Sequence, residues 1–289
     1  MYVTRGENRM QYKEYKPEQL LRLREMQLEI LKEIIRVCEL HGIRYFIAYG
    51  SLLGAVRHQG PIPWDDDIDI CMAREDYEKF SRVADSELDS QYELVSMARD
   101  LNYPMSLPKV QKKGTLFIDK TFEHAKFKLG VFVDIFVYDY VSDDAAEALK
   151  QAKKCNFLDK LMILQISRCP NQGRSGVIAL LLSVIYFLAH YVVRLIPRKW
   201  LFRAFVKEQQ KFKNHPTNTM ICLDELIGDR TKATVDELFP TVPLEFSGIT
   251  VQAPKEYDRL LRRQFGDYMK LPPVEERVNH CPKIFDLGE

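Results

Sequence analysis

A short acidic segment constrains what this chain can fold into more than any other part of its sequence. In an extended strand alternate side chains share a face, so Asp65, Asp67 and Asp69 point one way while Ile68 and Ile70 point the other. Carboxylates this close repel one another and raise one another's pKa unless a cation lies among them. Mg2+ takes oxygen ligands and commonly bridges carboxylates to substrate phosphates. The alternation therefore predicts a half-buried strand with a metal site that handles phosphate.

The alternative for an acidic tripeptide is a solvated loop. Here the acidic residues belong to a pattern of alternating apolar residues that continues to Met72, and Pro63 and Trp64 precede them. A solvated loop does not require that pattern, so we assign the segment to a functional site.

A glycine-serine pair precedes this segment. Residues 43–49 predict a buried strand that runs into a turn at Gly50 and Ser51, and residues 52–57 predict a short helical turn that begins at Ser51. A helix N-terminus binds phosphate oxygens, and glycine permits close backbone approach. The alternative for Ser51 is a plain N-cap.

A further carboxylate lies in the strongly apolar residues 130–139. Strand alternation places Phe132, Asp134 and Phe136 on one face. A lone acid in so apolar a strand is costly unless it is paired, hydrogen-bonded or ligating. We favour ligation for Asp134 because a first carboxylate strand exists for it to meet, and we place Asp139 at the strand exit.

The composition narrows the classes of partner. The 289 residues are 46% hydrophobic, which allows a sizeable core, and a formal net charge of +1 without a Lys/Arg-dense face argues against nucleic acid. The six cysteines are scattered without a Cys-x-x-Cys pair, which suits a reducing compartment better than a zinc site or a disulfide framework. Residues 1–16 carry no apolar signal region. We therefore expect a cytoplasmic protein.

The apolar residues 176–196 qualify that expectation, because their length approaches the roughly 20 residues that cross a bilayer. Basic residues follow, as do Trp200 and Phe202, which suit a membrane interface. Three interpretations stay open: a buried core helix, a monotopic contact at the inner face of the cell membrane, or a true span. A span would separate the two parts of the chain, which is hard to reconcile with both contributing to one site.

The hydrophobic periodicity predicts an α+β fold. We expect residues 1–142 to form a mixed-sheet core with an N-terminal helix, and residues 143–289 to form a mostly helical region packed on it as one unit. Predicted helices cover residues 20–40, 75–88, 143–167, 176–212 and 255–265. Predicted strands cover residues 43–49, 65–70, 92–97, 109–118, 130–139 and 220–223, and the one at 109–118 is interrupted by Lys112, Lys113 and Gly114. Pro240, Pro243 and Pro254 indicate a loop-rich stretch.

Several of these features together resemble a known family. A Gly-Ser turn after a strand, an Asp-x-Asp on the next strand and a third Asp on a later strand are similar to the nucleotidyltransferase superfold. Residues 48–72, AYGSLLGAVRHQGPIPWDDDIDICM, resemble the signature of the LicD family of phosphotransferases. The likeness continues at Arg74-x-Asp76-Tyr77-x-x-Phe80 and at residues 130–139, and returns at FGDYMKLPP and Arg277-x-x-His280. It is weakest between residues 143 and 219.

The resemblance implies the transfer of a phospho-alcohol such as phosphocholine or ribitol phosphate. The implied donor is CDP-activated, CMP is released, and the acceptor is a hydroxyl of a cell-surface glycan or its lipid-linked precursor. The family implies a divalent metal, Mg2+ or Mn2+, and a fold with a nucleotidyltransferase-like mixed β-sheet core. A lipid-linked acceptor would suit a peripheral membrane contact through residues 176–196.

Residue by residue, the resemblance implies a metal site at Asp67, Asp69 and Asp134. Asp134 is also a candidate proton acceptor, and Asp65 a further ligand or a partner behind the ligands. The predicted substrate-binding residues are Gly50, Ser51, Arg57, His58, Asp65, Lys109, Arg277 and His280. Arg57 and Lys109 are the residues that we expect to face the substrate phosphate. The alternative for each is a solvated side chain. His58 can equally be structural, and spacing assigns no role to Arg277 or His280.

Four aromatic residues are available to stack a base or to cage a trimethylammonium group. They are Tyr45, Tyr49, Trp64 and Tyr103, and core packing is the default for each.

Two other functions compete with this expectation. One is a nucleotidyltransferase that consumes a nucleoside triphosphate and releases pyrophosphate. The other is a non-catalytic relative that only binds a glycan or a nucleotide, which the intact set of Asp67, Asp69 and Asp134 disfavours.

Overall fold

The computed structural model describes residues 15–167, 177–224, 231–280 and 282–288, with only the backbone described for residues 177–181. The described helices are α1 Pro17–His41, α2 Tyr49–His58, α3 Arg74–Glu87, α4 Ala145–Leu164, α5 Val177–Val193, α6 Arg198–Gln209, α7 Val235–Leu238 and α8 Tyr257–Phe265. The described strands are β1 Phe46–Ile47, β2 Asp69–Ala73, β3 Tyr92–Val95, β4 Lys109–Lys112, β5 Leu116–Ile118, β6 Phe132–Val141, β7 Thr219–Cys222, β8 Ala233–Thr234, β9 Val242–Phe246, β10 Ile249–Ala253 and β11 Ile284–Asp286.

A seven-stranded mixed sheet forms the centre of the molecule. Its main path runs β1-β2-β6-β4-β3, with β7 and β8 attached beyond β6. Only the β2–β6 pair of this sheet is parallel. The α+β prediction is confirmed. Because β7 and β8 come from beyond residue 142, the later part of the chain adds strands to the same sheet. The division at residue 142 stays a prediction.

The long strand β6 organises this sheet. One of its edges pairs with β2, and the other pairs first with β4 and then with β7. Its apolar residues Val133 and Ile135 are completely buried, as is Val131 directly before the strand. A near-continuous apolar run is typical of a strand covered on both faces.

Helices α1 and α3 confirm the sequence periodicity. The buried residues of α1 include Leu23, Ile30, Ile34 and Val37, which recur at helical spacing and pack into the main core. The helix ends at Gly42, whose φ of 60° is the left-handed conformation that glycine adopts without steric cost. The helix predicted over residues 20–40 is therefore confirmed and is slightly longer than predicted.

Helix α2 begins earlier than predicted. Tyr49 has a φ of 47° and is already the first residue of the helix, with Ala48 as its N-cap. The strand predicted over residues 43–49 is only Phe46–Ile47 long. Gly54 lets the following loop pack closely, because a Cβ there would lie 2.4 Å from the Gly60 carbonyl oxygen.

The strand candidate at residues 109–118 is interrupted where the sequence indicated. It forms two strands, β4 and β5, in different sheets, and the chain turns at Gly114, whose φ is 80°. One other prediction required correction. The proline-rich stretch contains a β9–β10 hairpin whose turn residues Ser247 and Gly248 both have positive φ. Strand β11 pairs with β5 and so returns the C-terminal segment to the core.

Helix α5 has an unusual surface. His190 and Val193 are buried, but Ile185, Leu188 and Val192 are exposed. The core-helix interpretation is therefore wrong for the exposed side of α5 within residues 182–193, where its side chains are described. Among the described residues, no helix combines the length and the apolar character needed to cross a bilayer.

The cysteines that the structure describes are buried, as expected. Cys38, Cys71, Cys155 and Cys222 are buried thiols. Cys169 and Cys281 lie outside the described residues, as does most of the N-terminal segment 1–16.

Candidate active site

Three strands bring Asp69, Asp134 and Lys109 into one row. Strand β2 runs parallel to β6 with Asp69 paired to Asp134, and β4 runs antiparallel to β6 with Lys109 paired to Asp134. Side chains at paired positions of adjacent strands project from the same face of a sheet. All three residues are buried. Two carboxylates and one ammonium group therefore share a buried row.

Asp67 completes the group from the segment before β2. One carboxylate oxygen from each of Asp67, Asp69 and Asp134 lies within 4.8 Å of the others. Sequence alternation placed Asp67 and Asp69 on one face, and the structure brings Asp134 to them. The strand itself is shorter than predicted, because β2 begins at Asp69 and residues 65–68 precede it without regular structure.

Burial and mutual repulsion disfavour the charged form of these acids. Burial, followed by the charges of Asp67 and Asp134, raises the pKa of Asp69 well above its ordinary value. Burial also raises the pKa of Asp134, although the neighbouring Lys109 ammonium acts in the opposite direction. The group therefore holds more negative charge than its protein neighbours neutralise.

This donor set fits a hard divalent cation. Three buried carboxylates offer closely spaced oxygens, and Mg2+ and Mn2+ prefer oxygen ligands. A bound cation would relieve the repulsion that raises the pKa of Asp69. The identity of the ion stays a prediction.

Lys109 forms an ion pair with Asp134 inside the site. Its Nζ contacts Asp134 Oδ1 and lies 3.6 Å from the centroid of the Phe132 ring. The solvated alternative for Lys109 is wrong because the residue is buried. A contact between Lys109 and phosphate stays a prediction.

Ser51 fastens the start of α2 to β2. The Asp69 backbone N–H donates to Ser51 Oγ at 2.9 Å, and the Ala48 N–H donates to the Asp69 carbonyl at 3.0 Å. Because Ala48 is the N-cap, the N-cap alternative for Ser51 is wrong. Gly50 and Ser51 lie in the first turn, where backbone N–H groups have no partner within the helix. This end of α2 is thus held directly beside the carboxylates.

Asp65 and Asp66 have different surroundings. Asp65 is half-buried beside Asp67, and burial followed by the charges of Asp67 and Asp66 raises its pKa. Asp66 is fully buried and accepts from Tyr15 Oη at 2.5 Å. Its backbone carbonyl accepts from Gln27 Nε2 at 2.8 Å. Asp66 therefore anchors the acidic segment to Gln27 of α1 and to Tyr15, two residues before α1 begins.

His280 reaches the same acids from near the end of the chain. Its Nδ1 lies 3.0 Å from Asp66 Oδ1 and 3.5 Å from Asp67 Oδ2. Burial lowers the pKa of His280, but Asp67 and Asp66 outweigh burial and raise it to about 10. Burial raises the pKa of Asp66, and the hydrogen bonds from His280 and Tyr15 reverse that effect and lower it. His280 thus contributes a second positive charge beside the acids.

Arg57 and His58 lie at the opposite end of α2 from Ser51. Arg57 Nη1 donates to the Tyr268 carbonyl at 2.6 Å, and its Nε donates to His58 Nε2 at 2.9 Å. Burial, followed by the charge of Arg57, lowers the pKa of His58. Six residues of helix correspond to about 9 Å along the axis, so these two residues lie away from the Ser51 end.

Trp64 links this end of α2 to the C-terminal segment. The guanidinium of Arg277 lies 4.4 Å from the Trp64 ring centroid, and that of Arg57 lies 6.0 Å from it. Trp64 is half-buried and directly precedes Asp65. Two cations and an aromatic ring therefore lie next to the acidic segment.

The other aromatic candidates belong to the core. Tyr45, Tyr49 and Tyr103 are buried. Tyr49 packs edge-on against Phe136, and Tyr103 Oη donates to the Leu107 carbonyl at 2.7 Å. Core packing, the default assignment, describes all three.

Asp139 does not lie at a strand exit. Strand β6 continues to Val141, and Asp139 is buried in an ion pair with Arg74, with Nη2 2.5 Å from Oδ2.

Sequence reasoning also assigned no role to Asp66. Its one local signal was its position on the face opposite to Asp65 and Asp67, where a buried acid requires a partner.

Comparisons with known proteins agree with this geometry. Residues 42–162 match the family model described as "LicD/FKTN/FKRP, nucleotidyltransferase domain". The matched range contains the start of α2, the acidic segment, Lys109 and Asp134. The class that the fold and the site define is therefore a transferase of this domain type.

The similarity extends over nearly the whole chain for one relative. The lipopolysaccharide cholinephosphotransferase LicD of Haemophilus influenzae is 30% identical over 272 residues, which are 90% of this chain and 96% of that protein. The chain belongs to the LicD family and is a phosphotransferase of that family.

More distant relatives match a shorter stretch. The ribitol 5-phosphate transferases FKRP of Mus musculus and Homo sapiens are 39% identical over 62 residues. That stretch is 22% of this chain and 13% and 12% of those two proteins.

Proposed function

We propose that this phosphotransferase moves a phospho-alcohol, phosphocholine or a similar alcohol phosphate, from a CDP-activated donor to a glycan hydroxyl and releases CMP. The observation that carries the proposal is the buried group of Asp67, Asp69 and Asp134, whose oxygens lie within 4.8 Å of one another. The relative that matches over 90% of this chain is named as a cholinephosphotransferase, which supports phosphocholine as the first group to test.

The carboxylates would hold the required cation. Asp67, Asp69 and Asp134 are the ligands that we assign to Mg2+ or Mn2+, and a bound ion supplies charge neutralisation at the donor phosphates. Asp65, beside Asp67, is placed to act as a further ligand or to orient Asp67.

The bond changes follow from the donor chemistry. The acceptor oxygen forms a bond to the phosphorus nearer the alcohol, and the bond from that phosphorus to the bridging oxygen breaks, so that CMP leaves with both electrons. The hydroxyl proton passes to a carboxylate, for which we assign Asp134. Asp134 has this role where the cation engages only part of its carboxylate.

The start of α2 is the phosphate-facing element of this proposal. Ser51 is fixed beside Asp69 by its hydrogen bond from the Asp69 N–H. Backbone N–H groups of a first helical turn stabilise phosphate oxygens. Gly50 and Ser51 therefore orient the donor phosphates toward the carboxylates.

The donor's cytosine is assigned to Trp64. This half-buried ring carries Arg277 on its face and directly precedes the acidic segment. An aromatic ring stacks a base, and a guanidinium group binds phosphate oxygens. Arg57 and His280 complete the cationic surroundings of the donor in this proposal, and His58, whose pKa is lowered by burial and by the charge of Arg57, is a neutral partner of Arg57.

The acceptor that we propose is a cell-surface glycan or its lipid-linked precursor. A lipid-linked acceptor requires the enzyme to work at a membrane surface, which we assign to the inner face of the cell membrane. The relative's printed name refers to lipopolysaccharide, which makes a lipid-linked glycan the first acceptor to test.

A nucleotidyltransferase reaction is the second candidate, because the matching family model is described as a nucleotidyltransferase domain. That reaction would move a nucleoside monophosphate from a triphosphate and release pyrophosphate. The released product separates the two candidates.

A donor panel tests the proposal. The purified protein is incubated with Mg2+ or Mn2+, a lipid-linked glycan extract and one of CDP-choline, CDP-ribitol, CDP-glycerol, CTP or ATP. Phosphorus NMR follows CMP and pyrophosphate. The Asp67→Asn, Asp69→Asn double variant runs beside Asp85→Asn, a surface control whose side chain is 77% exposed.

Metal-dependent CMP release from one CDP-alcohol, lost in the double variant and kept in the control, is the expected result. Pyrophosphate release from CTP or ATP would replace the proposal with the second candidate. CMP release that the double variant retains would overturn the assigned site.

A further inference from the structure

The exposed side of α5 is a continuous apolar surface. We call it the α5 face and define it by Val184, Ile185, Leu188, Tyr191, Val192 and Leu195, all exposed. At 100° per residue the five helical positions fall within an arc of about 120°, and Leu195 follows in the turn after the helix. Leu195 is 83% exposed and Val192 is 64% exposed. So contiguous an apolar surface marks an interaction site.

The opposite side of α5 is fixed to the protein. Val193 is buried, and the buried His190 ring has Nδ1 2.7 Å from the Leu164 carbonyl at the end of α4. Gln165 Nε2 donates to the carbonyls of Val193 and Ile196. One side of α5 packs against the rest of the protein along the C-terminal half of the helix. The other side therefore faces outward along the length of the helix.

The junction between α5 and α6 places positive charge at the C-terminal end of the α5 face. Arg194, Lys199 and Arg203 are exposed, and Trp200 beside them is 66% exposed. The sequence contains no Asp or Glu between residues 177 and 207. An apolar face rimmed by basic residues and tryptophan is the pattern of a helix that lies in a lipid interface.

The charge distinguishes a membrane from a second copy of this chain. A second copy docked through the α5 face would offer these basic residues no acidic partner from the same region, because residues 177–207 contain no Asp or Glu. Anionic lipid headgroups would instead neutralise them. The charge pattern therefore favours lipid.

We propose that the α5 face, together with Trp200 and the basic residues Arg194, Lys199 and Arg203, docks this protein onto the headgroup region of an anionic phospholipid bilayer. The inference goes beyond the transfer reaction and does not depend on the identity of the donor or the acceptor. Its failure would leave the proposed chemistry untouched.

The surface has a fixed position relative to the active-site sheet. Arg198 at the start of α6 donates through Nη1 to the Met162 carbonyl at 2.6 Å and through Nη2 to the Tyr103 carbonyl at 3.0 Å. Tyr103 belongs to the segment that leads into β4, which carries Lys109. Docking through the α5 face thus holds the catalytic sheet in one orientation toward the bilayer.

Vesicle co-sedimentation of the full chain tests this surface. The probes are phosphatidylcholine vesicles and vesicles of phosphatidylcholine with phosphatidylglycerol. The test variant is Leu188→Glu, and the matched control is Leu21→Glu, because these two helical leucines are 60% and 61% exposed. A triple variant, Arg194→Glu, Lys199→Glu and Arg203→Glu, tests the charge. Circular dichroism and thermal midpoints verify that each variant folds.

We expect binding to the phosphatidylglycerol vesicles that weakens as salt rises. Leu188→Glu should reduce it by about tenfold, the triple variant should abolish its salt dependence, and Leu21→Glu should leave it unchanged. Absence of vesicle binding in the wild type, or equal loss in Leu21→Glu, would refute the proposal. A wild-type dimer that Leu188→Glu converts to a monomer in light scattering, without vesicle binding, would assign the face to a second copy instead.

Discussion

His280 binds Asp66 across 214 positions of the sequence, through both its backbone N–H at 2.9 Å and its ring Nδ1 at 3.0 Å. Tyr15 donates to the same carboxylate from the other end of the chain. Two distant segments thus meet at the acid that the alternation places opposite Asp65 and Asp67. Residues 65–68, which include Asp67, are therefore held in place by the polar contacts of Asp66 rather than by strand pairing.

Replacement of Asp66 should damage both stability and catalysis. Asp66→Ala removes the fully buried partner of a partly buried, charged histidine, so we expect the free energy of unfolding to fall by about 3 kcal/mol. Tyr15→Phe removes one hydrogen bond and should cost about 1 kcal/mol. Urea unfolding measures both variants. Equal, negligible losses would show that Asp66 does not anchor the segment.

Removal of a carboxylate should change the response to divalent cations. Asp69→Asn relieves like-charge repulsion among buried groups, so in EDTA its thermal midpoint should equal or exceed that of the wild type. Added Mg2+ or Mn2+ should stabilise the wild type, because a ligand that binds only the folded state shifts the unfolding equilibrium. The variant should gain little and should lose at least about 1,000-fold in turnover. An equal gain in both proteins would contradict a cation site at Asp69.

A double-mutant cycle can measure the coupling between Lys109 and Asp134. Lys109→Met leaves a buried carboxylate uncompensated and should lower the free energy of unfolding by about 3 kcal/mol. Adding Asp134→Asn should restore most of that loss, because the two side chains are in contact. The double variant should remain inactive. Chemical unfolding measures the free energy of each variant. If the two substitutions destabilised the protein additively, that result would refute the coupling.

Asp224 should make stability depend on pH. Burial, opposed by the charge of Arg74, raises the pKa of Asp224 from 3.8 to about 7. The folded state therefore holds this proton more tightly than the unfolded state, and its contribution is lost as pH rises from about 4 to about 7, by at most about 4 kcal/mol. Asp224→Asn should remove this fall from the pH profile of the thermal midpoint. Parallel wild-type and variant profiles would contradict the raised pKa.

The assigned stack on Trp64 predicts a change in donor affinity. Trp64→Ala removes the aromatic ring that faces Arg277, so the KM for the donor should rise about fivefold to tenfold with a smaller change in kcat. Trp64→Phe keeps a ring and should restore most of the affinity. Steady-state kinetics with a fixed acceptor measures both, and an unchanged KM in Trp64→Ala would place the base elsewhere.

The elements that followed from the sequence were those with strong local patterns. The periodicity of α1 and α3 and the apolar run of β6 gave their positions to within a few residues. The β9–β10 hairpin was missed because prolines dominated the local signal. The start of α2 was misplaced because Tyr49 adopts a positive φ that its residue type does not predict.

The sequence by itself determined that Asp67, Asp69 and Asp134 would form an acidic site, because strand alternation and the cost of an isolated buried charge are local properties. Only the tertiary structure decided that Lys109 pairs with Asp134, that Asp66 is clamped by Tyr15 and His280, and that one side of α5 is exposed. These relationships depend on strand register and on contacts between segments far apart in the chain. Local propensity carries no information about either, since both are set by how the whole core packs.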